Sequence, residues 1–332
     1  MSASIKDVAA QAGVSVGTVS NVLNHPDRVS PETVDRVRGA IKDLGFVRND
    51  VARHLRAGES RTIALLVMDA ANPFFTDLAK GAEDEATNLG LSVVMGNTAE
   101  TSERENSYLD LFEEQRVRGV LISPYGDVEE RLLQLKQFGI PSVLVDRASS
   151  SGKLSSVSVD DVAGGKTAVT HLIESGRTTI GFVGGGLDVP QVRDRLQGAR
   201  EALKGHPAVS LEVFETAATT VLEGRRVGEQ ISQMNPNERP DALFAANDLV
   251  AIGLLQAFMA TAAIRVPDDI ALIGYDDIDF SPSAIVPLTS IRQPSRLMGQ
   301  TALEILNSEA QDSTQPPQEV VFQPELVVRS ST

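Results

Sequence analysis

A set of polar and aromatic side chains follows several predicted strands, where the chain turns out of a sheet. The set consists of Asn72, Phe74, Phe75, Asp146, Arg147, Arg195, Asn247, Asp276 and Gln293. Carboxylates, amides and guanidinium groups pair with hydroxyls, and aromatic faces cover the C–H faces of a sugar ring. The two adjacent phenylalanines stand out because the chain has only 11 Phe, 3 Tyr and no Trp. These residue types predict a binding site for a small, sugar-like molecule.

The same residues have structural interpretations that the sequence leaves open. The two phenylalanines could start a helix and fill core, and Asp276 could lie in a surface turn. Arg147 and Arg195 could pair with surface acids. Asp248 is interpreted as a helix-capping or structural acid and is not included in the set.

Other kinds of chemistry find little support in the sequence. A phosphate-binding loop around Gly164-Gly165-Lys166-Thr167 would need a glycine where the chain has Asp160. Gly184-Gly185-Gly186 lacks the spacing of a dinucleotide-binding turn. The four histidines are scattered and cysteine is absent, so neither a metal site nor a cofactor is predicted. No tuned acid/base pair stands out, which argues against the alternative of a sugar- or nucleotide-handling enzyme.

The candidate side chains need a scaffold of alternating strands and helices to bring them together. Strands are predicted at 62–68, 92–95, 119–123, 142–146, 156–159, 179–183, 211–214, 242–246 and 270–275. Helices between them are predicted at 73–89, 103–115, 161–175, 189–203, 222–234 and 248–262. This alternation indicates an α/β fold of doubly wound parallel sheets, and about 270 residues favour two lobes over one. Ligands bind beyond the carboxyl ends of such strands, so the cleft between the lobes is the predicted site.

The first sixty residues carry a different pattern, with three short helices and no strand signal. The first helix (5–12) ends at Gly13, and Ser15 is expected to cap the second helix (16–23). Ser30-Pro31-Glu32 predicts the start of a third helix, which places Val34, Val37, Ile41 and Leu44 on one face and stops at Gly45. Three helices with a short turn between the first two predict an all-α helix-turn-helix head.

The charge distribution is compatible with DNA binding by that head. The whole chain has a net charge of −15. Residues 1–61 hold nine Lys or Arg against seven Asp or Glu, so the excess of acid lies in the remainder. Phosphate contact is local, and only the docking face needs to be basic.

The N-terminal residues IKDVAAQAGVSVGTVSNVLN (5–24) resemble the head of the lac-repressor (LacI/GalR) family. The resemblance continues through VSPET (29–33), LGF (44–46) and NDVARHLR (49–56), and then covers the sensor domain, which is similar to ribose-binding proteins. It implies a head at 1–48, a hinge helix and linker at 49–60, and an effector-binding and dimerisation domain at 61–332. Within that domain the N-subdomain would span about 61–160 and 292–320, and the C-subdomain about 161–291 and 321–330.

The resemblance implies roles for residues of the second helix and of the hinge. Val16, Gly17 and Asn21 would face base edges in the major groove, and Asn21 can pair with adenine at two points. The smaller hydroxyl residues Thr18 and Ser20 would contact phosphates. In the hinge, Ala52 and Leu55 would face the partner hinge, and Leu55 would also wedge into a central base step from the minor groove.

The implied function is a repressor of sugar uptake or catabolism genes that binds palindromic operator DNA as a homodimer. The nine candidate side chains fall on ligand-contacting positions of the family, which implies a pentose such as ribose, a deoxysugar or a nucleoside. Near Thr219, where ribose binders place an aromatic residue, this chain has Ala217-Ala218-Thr219-Thr220. The ring would then be held from one side, or the ligand would be bulkier than ribose.

Location follows from the same observations. The N-terminus has no apolar signal region, and no apolar run reaches the ~18 residues that a membrane helix needs. A cytoplasmic protein is expected, without a membrane partner. A solute-binding transport component, the remaining alternative, would need an export signal and would have no use for the head.

Overall fold

A computed structural model of the protein describes residues 3–46, 60–186, 188–261 and 264–332. The chain divides into two compact units, Met1–Ser60 and Arg61–Thr332, called here the helical unit and the α/β unit. The predicted hinge at 49–57, with Ala52 and Leu55, lies outside the described residues.

The helical unit contains helices α1 (Ile5–Ala12), α2 (Val16–Asn24) and α3 (Pro31–Asp43). Gly13 ends α1 in the left-handed conformation, with φ of 63°. The predicted cap of α2 is present, because the Ser15 hydroxyl accepts a hydrogen bond from the Thr18 amide at 3.1 Å. One buried residue from each helix forms the centre of the core: Val8, Val19 and Val37 are fully buried. The three helices therefore hold one another in place.

The start of α3 differs from the prediction in one respect. The Ser30 side chain accepts no amide of the helix, and its hydroxyl instead donates to Thr33 Oγ1 at 2.9 Å. Pro31 at the first helical position has no N–H to satisfy, which lowers the need for a side-chain cap. Of the predicted apolar face, Val34 and Val37 are buried, while the later members are only partly buried.

The described residues of the α/β unit form two six-stranded sheets. The first sheet contains β1 (Thr62–Val67), β2 (Ser92–Asn97), β3 (Gly119–Ile122), β4 (Ser142–Val145), β5 (Ser155–Val159) and β11 (Glu319–Phe322). The second contains β6 (Thr179–Val183), β7 (Ser210–Phe214), β8 (Ala242–Ala245), β9 (Ala271–Asp276), β10 (Thr289–Arg292) and β12 (Glu325–Val327). Their orders are β11-β5-β4-β3-β1-β2 and β12-β10-β9-β8-β6-β7, and all pairs are parallel except β10 with β12. The two-lobed α/β fold is as predicted.

Helices cover the sheets and complete the two lobes. They are α4 (Pro73–Asn88), α5 (Ser102–Glu114), α6 (Glu129–Gln137), α7 (Asp161–Glu174), α8 (Pro190–Ala202), α9 (Val221–Gln233), α10 (Asp248–Thr261) and α11 (Ser295–Gln311). Three pairs of them pack backbone to backbone through glycine. A methyl group on Gly81 of α4 or on Gly165 of α7 would lie 2.0 Å from a carbonyl oxygen of the facing helix. The same is true of Gly224 in α9, at 2.1 Å.

The chain passes between the lobes three times. The crossings follow β5, β10 and β11, because each of these strands is succeeded by an element that packs in the other lobe. The third crossing comes after Phe322, close to the boundary at about 320 that the resemblance implies, because Val321 and Phe322 still pair with β5 in the first sheet. Among the described residues, no helix is both long and apolar enough to span a membrane.

Candidate functional site

A cleft opens at the carboxyl ends of the strands of both lobes. The space between its walls measures about 630 Å³, including the part open to solvent. Seven of the nine predicted site residues line it: Asn72, Phe74, Phe75, Asp146, Arg195, Asn247 and Asp276. Because parallel strands deliver their carboxyl ends to one edge, side chains distant in sequence meet there.

The start of α4 supplies the first three of these residues. The Asn72 side chain caps the helix, because its Oδ1 accepts a hydrogen bond from the Phe74 amide at 3.0 Å. Its Nδ2 donates across the cleft to Asp276 Oδ2 at 3.3 Å. The rings of Phe74 and Phe75 pack edge to face, with centroids 5.1 Å apart. Both rings belong to the core and also line the cleft, so core packing does not remove them from the candidate site.

Two aspartates occupy equivalent places in the two lobes. Asp146 follows β4, Asp276 ends β9, and both have a left-handed backbone, with φ of 62° and 100°. Non-glycine residues in that conformation store strain and are concentrated at functional sites. Each aspartate is hydrogen-bonded by a side chain of the opposite lobe. Gln191 Nε2 donates to the Asp146 carbonyl oxygen at 2.6 Å and to its Oδ2 at 3.0 Å. Asn72 Nδ2 donates to Asp276. Within the described part of the chain, the buried Asp146 Oδ1 has no hydrogen-bond partner.

Arg195 lies at the centre of a buried charge cluster. Its Nε donates to Asp161 Oδ1 at 2.8 Å and its Nη1 to the Ala246 carbonyl oxygen at 2.7 Å. The guanidinium carbon lies 3.7 Å from the centroid of the Tyr275 ring, and Nη1 lies 3.8 Å from Asp276 Oδ1. Arg195 does pair with acids, as one interpretation holds, but the pairing is buried and the residue also lines the cleft.

The buried acids around this arginine are crowded. Burial raises the pKa of the Asp146 carboxyl well above its usual range, and the neighbouring Asp161 and Asp276 raise it further, against Arg195. Burial likewise raises the pKa values of Asp161 and Asp276, and Arg195 opposes the rise in both. One arginine therefore faces three carboxyl groups, and the cluster carries more acid than its cation neutralises.

Two predicted contacts lie elsewhere. Arg147 does not line the cleft, because its Nη1 donates to the Gly126 carbonyl oxygen at 2.8 Å. Gln293 is buried behind Asp276 and donates to its Oδ1 at 2.8 Å, so it positions a cleft residue from outside. Asn247 does line the cleft, but its amide is engaged by the Val250 N–H at 3.0 Å and by the Thr219 carbonyl at 3.1 Å.

The cleft also contains residues that the sequence did not single out. The polar ones are Asp69, Glu100 and Gln191. Asp69 comes soon after β1, so the strand-end signal used for the other residues could have found it. Gln191 lies in the first turn of α8, where nothing in the sequence marks it as a cross-lobe contact.

The predicted DNA-reading residues lie on α2. Val16, Gly17 and Asn21 are exposed. The Thr18 hydroxyl lies 2.9 Å from that of Ser15, beside the helix N-terminus. The Ser20 hydroxyl accepts a hydrogen bond from Asn24 at 3.2 Å.

Asp248 has the structural role that the sequence indicated. Its carboxylate is fully buried and accepts hydrogen bonds from the Ile278 amide at 2.9 Å, the Ser281 hydroxyl at 2.6 Å and the Ser290 hydroxyl at 2.7 Å. Burial, and then the charge of Asp276, raise the pKa of Asp248 to about 7. The residue ties the start of α10 to the loop after β9.

This shift predicts a pH dependence of stability. Between about pH 4 and pH 7 folded Asp248 holds a proton that the unfolded chain releases, so the free energy of unfolding falls as pH rises. Asp248→Asn has the same shape and cannot titrate. In this variant we expect the free energy of unfolding to fall less steeply with pH, by up to about 1.4 kcal/mol per pH unit. Urea unfolding across this range measures it, with exposed Asp127→Asn as the control, and an unchanged slope in Asp248→Asn would contradict the assignment.

Comparison with known proteins shows similarity along the whole chain. A family described as bacterial regulatory proteins, lacI family, matches residues 4–49, and a periplasmic binding protein-like domain matches residues 169–332. A protein of Aliivibrio fischeri named HTH-type transcriptional repressor PurR is 36% identical over 337 residues, covering 99% of this chain and 98% of the relative. The ribose operon repressor of Bacillus subtilis is 37% identical over 305 residues, covering 92% and 90%.

Solved structures of regulators share the fold. The lac repressor dimer bound to operator and the anti-inducer ONPF superimposes with a TM-score of 0.84 and 28% identity, covering 100% of this chain and 99% of that one. A LacI family transcriptional regulator from Enterococcus faecium with bound ribose gives a TM-score of 0.74 and 28% identity, covering 82% and 98%.

Proposed function

Because this chain belongs to the lacI family of bacterial regulatory proteins, we propose that it represses genes of sugar uptake or catabolism under control of a sugar-like effector. The chain is a DNA-binding transcriptional regulator and not an enzyme, since full-length relatives are transcriptional repressors. The effector part of the proposal rests on the cleft between the two lobes. Asp146 presents a buried, unpartnered carboxyl oxygen to the same cleft that the rings of Phe74 and Phe75 line.

The DNA-binding part of the proposal rests on α2. The exposed residues Val16, Gly17 and Asn21 read base edges, and the hydroxyls of Thr18 and Ser20 contact phosphates. The chain works as a homodimer on a palindromic operator, as the lac repressor dimer does on its own operator. The chromosome carries the operator, so the protein works in the cytoplasm.

Among the predicted base-reading residues of α2, Asn21 has the amide that two-point recognition of adenine requires. We expect Asn21→Ala to weaken binding to the preferred operator by about 1–3 kcal/mol and to relax the preference at one base pair of each half-site. Selection from random duplex DNA, followed by fluorescence anisotropy, measures both effects. Asn88→Ala, an exposed asparagine at the end of α4, is the control. An Asn21→Ala protein that selects the same sequence with the same affinity would refute the assignment.

The effector class proposed is a pentose such as ribose, a deoxysugar or a nucleoside. Carboxyl groups from both lobes, the capping amide of Asn72 and the Phe74–Phe75 pair supply the hydroxyl partners and the apolar face that such a ring needs. The ribose operon repressor among the relatives and the ribose-bound regulator among the solved structures support this class. Ala217, Ala218 and Thr219 also line the cleft, and their small side chains occupy little of it.

A thermal-shift panel of pentoses, deoxysugars and nucleosides tests the effector site. A compound at about 100 times its Kd adds about 2.7 kcal/mol of stability. Asp146→Gly is the decisive variant, because glycine suits the φ of 62° while both carboxyl oxygens are removed. We expect it to fold and to lose the ligand-induced shift, whereas exposed Asp127→Gly keeps it. A full shift in Asp146→Gly would place the ligand elsewhere.

A further inference from the structure

The cleft contains an acidic pair that the proposed effector site does not use. Asp69 follows β1 and Glu100 follows β2, and these strands are parallel neighbours, so both residues emerge at the same edge of the first sheet. Both side chains line the cleft. The pKa of the Glu100 carboxyl is raised, first by burial and then by the charge of the nearby Asp69.

The backbone conformation positions the two acidic residues at the cleft wall. Ala99 and Glu100 are both left-handed, with φ of 49° and 54°, and the Glu100 amide donates to the Met68 carbonyl oxygen at 3.2 Å. Asp69 Oδ1 accepts the Ala71 amide at 2.9 Å. Such strained conformations persist only when the surroundings impose them. The two carboxyl groups are therefore held at the cleft wall by turns with hydrogen-bonded backbones.

No cationic side chain other than Arg195 on the described cleft wall offsets the added acid. Arg195 is the one Lys, Arg or His among the described residues that line the cleft. Its charge is already shared by Asp161, bonded at 2.8 Å, and Asp276, at 3.8 Å. An anionic ligand would meet the carboxyl groups of Asp69, Glu100, Asp146 and Asp276 without a free cation to pair with.

We propose that Asp69 and Glu100 form a charge filter that restricts the effector to uncharged sugars and excludes phosphate esters and sugar acids. The inference rests on the proposed function and narrows its effector class. A second observation points to the same kind of ligand, because the buried Asp146 Oδ1 lines the cleft without a partner. A neutral hydroxyl can donate to or accept from that oxygen, whereas a phosphate or carboxylate group would add further negative charge to a cluster of buried acids with one cation.

Matched pairs of compounds test the filter on the full chain. Ribose, deoxyribose and adenosine are each compared with their 5-phosphates by thermal shift and by titration calorimetry. The test variant is Asp69→Asn with Glu100→Gln, which keeps the side-chain shapes and the Ala71 hydrogen bond. The control is Asp127→Asn with Glu130→Gln, an exposed pair in the same lobe with the same change of net charge.

For wild type and control we expect a shift with at least one parent compound and none with its phosphate. In the test variant we expect phosphate-ester binding to tighten by at least about tenfold, while the affinity for the parent compound stays within about threefold. Wild-type binding of an ester as tight as that of its parent would overturn the filter and leave the cleft assignment intact. Ester binding that the test variant does not tighten would overturn the role of the pair. A panel in which no compound binds would overturn both the filter and the proposed effector class.

Discussion

Replacing Arg195 with methionine is expected to lower the free energy of unfolding of the α/β unit by about 3–5 kcal/mol. The guanidinium is buried, bonds Asp161 at 2.8 Å and lies 3.8 Å from Asp276. Methionine fills similar space but leaves both carboxyl groups buried without their cation. Uncompensated buried charge is among the largest sources of mutational destabilisation.

The pH dependence of this loss identifies its cause. Burial raises the pKa values of Asp161 and Asp276, and Arg195 opposes that rise. Without Arg195 both pKa values rise further above their unfolded values, so the loss of stability grows as pH rises above the ordinary carboxyl range. The double variant Arg195→Met with Asp161→Asn removes one of the two carboxyl groups left without a cation. It should therefore regain part of the free energy of unfolding that the single variant loses. Denaturant unfolding of the full chain measures these differences. A single variant that loses less than about 1 kcal/mol, or a double variant no more stable, would show that the ion pair is not structural.

The second large effect is expected at Gly165, where α7 and α8 touch. A methyl group there would lie 2.0 Å from the Arg195 carbonyl oxygen, so Gly165→Ala must push the helices apart. Overpacking of this kind costs about 1–3 kcal/mol. It also displaces Arg195, and we expect the affinity for the effector to fall with the stability.

The exposed residue Thr167 on the same helix provides the control. Thr167→Ala should leave the free energy of unfolding within about 0.5 kcal/mol of wild type, because surface positions away from special features tolerate substitution. Thermal and urea unfolding, together with effector titration, compare the two variants. If Gly165→Ala were as stable as Thr167→Ala and bound its effector normally, the close contact between α7 and α8 would have no energetic role.

Most of the fold could be predicted because its signals are local. The stop at Gly13, the cap at Ser15 and the apolar face of α3 specify the helical unit within a few residues of each helix end. In the sheets, most of the strands found from sequence are buried, although the edge strands β2 and β7 are partly exposed. The strands β10, β11 and β12 were not predicted: the apolar runs in β11 and β12 are only two or three residues long within polar and proline-containing segments, and β10 contains a single large apolar residue, Ile291.

The site could be predicted where chain position alone determines it. Asp146 and Asp276 follow or end strands, and strand ends converge in an α/β sheet. Contacts that depend on how the lobes face each other could not be read from the sequence. Gln191 reaches Asp146 from the other lobe, whereas Arg147, next in sequence to Asp146, turns to the Gly126 carbonyl. Those outcomes depend on side-chain packing across the cleft.

The central claim is that a sugar-like molecule in the cleft changes the affinity of the protein for its operator. Fluorescence anisotropy tests it most directly, with the full-length protein, an operator selected from random duplex DNA, and the sugar that stabilises the protein in the thermal-shift panel. We predict at least about a fivefold change in operator affinity at saturating sugar, and no change in Asp146→Gly, which should still bind the operator. An operator affinity that stays constant while the wild-type cleft is saturated would contradict this account.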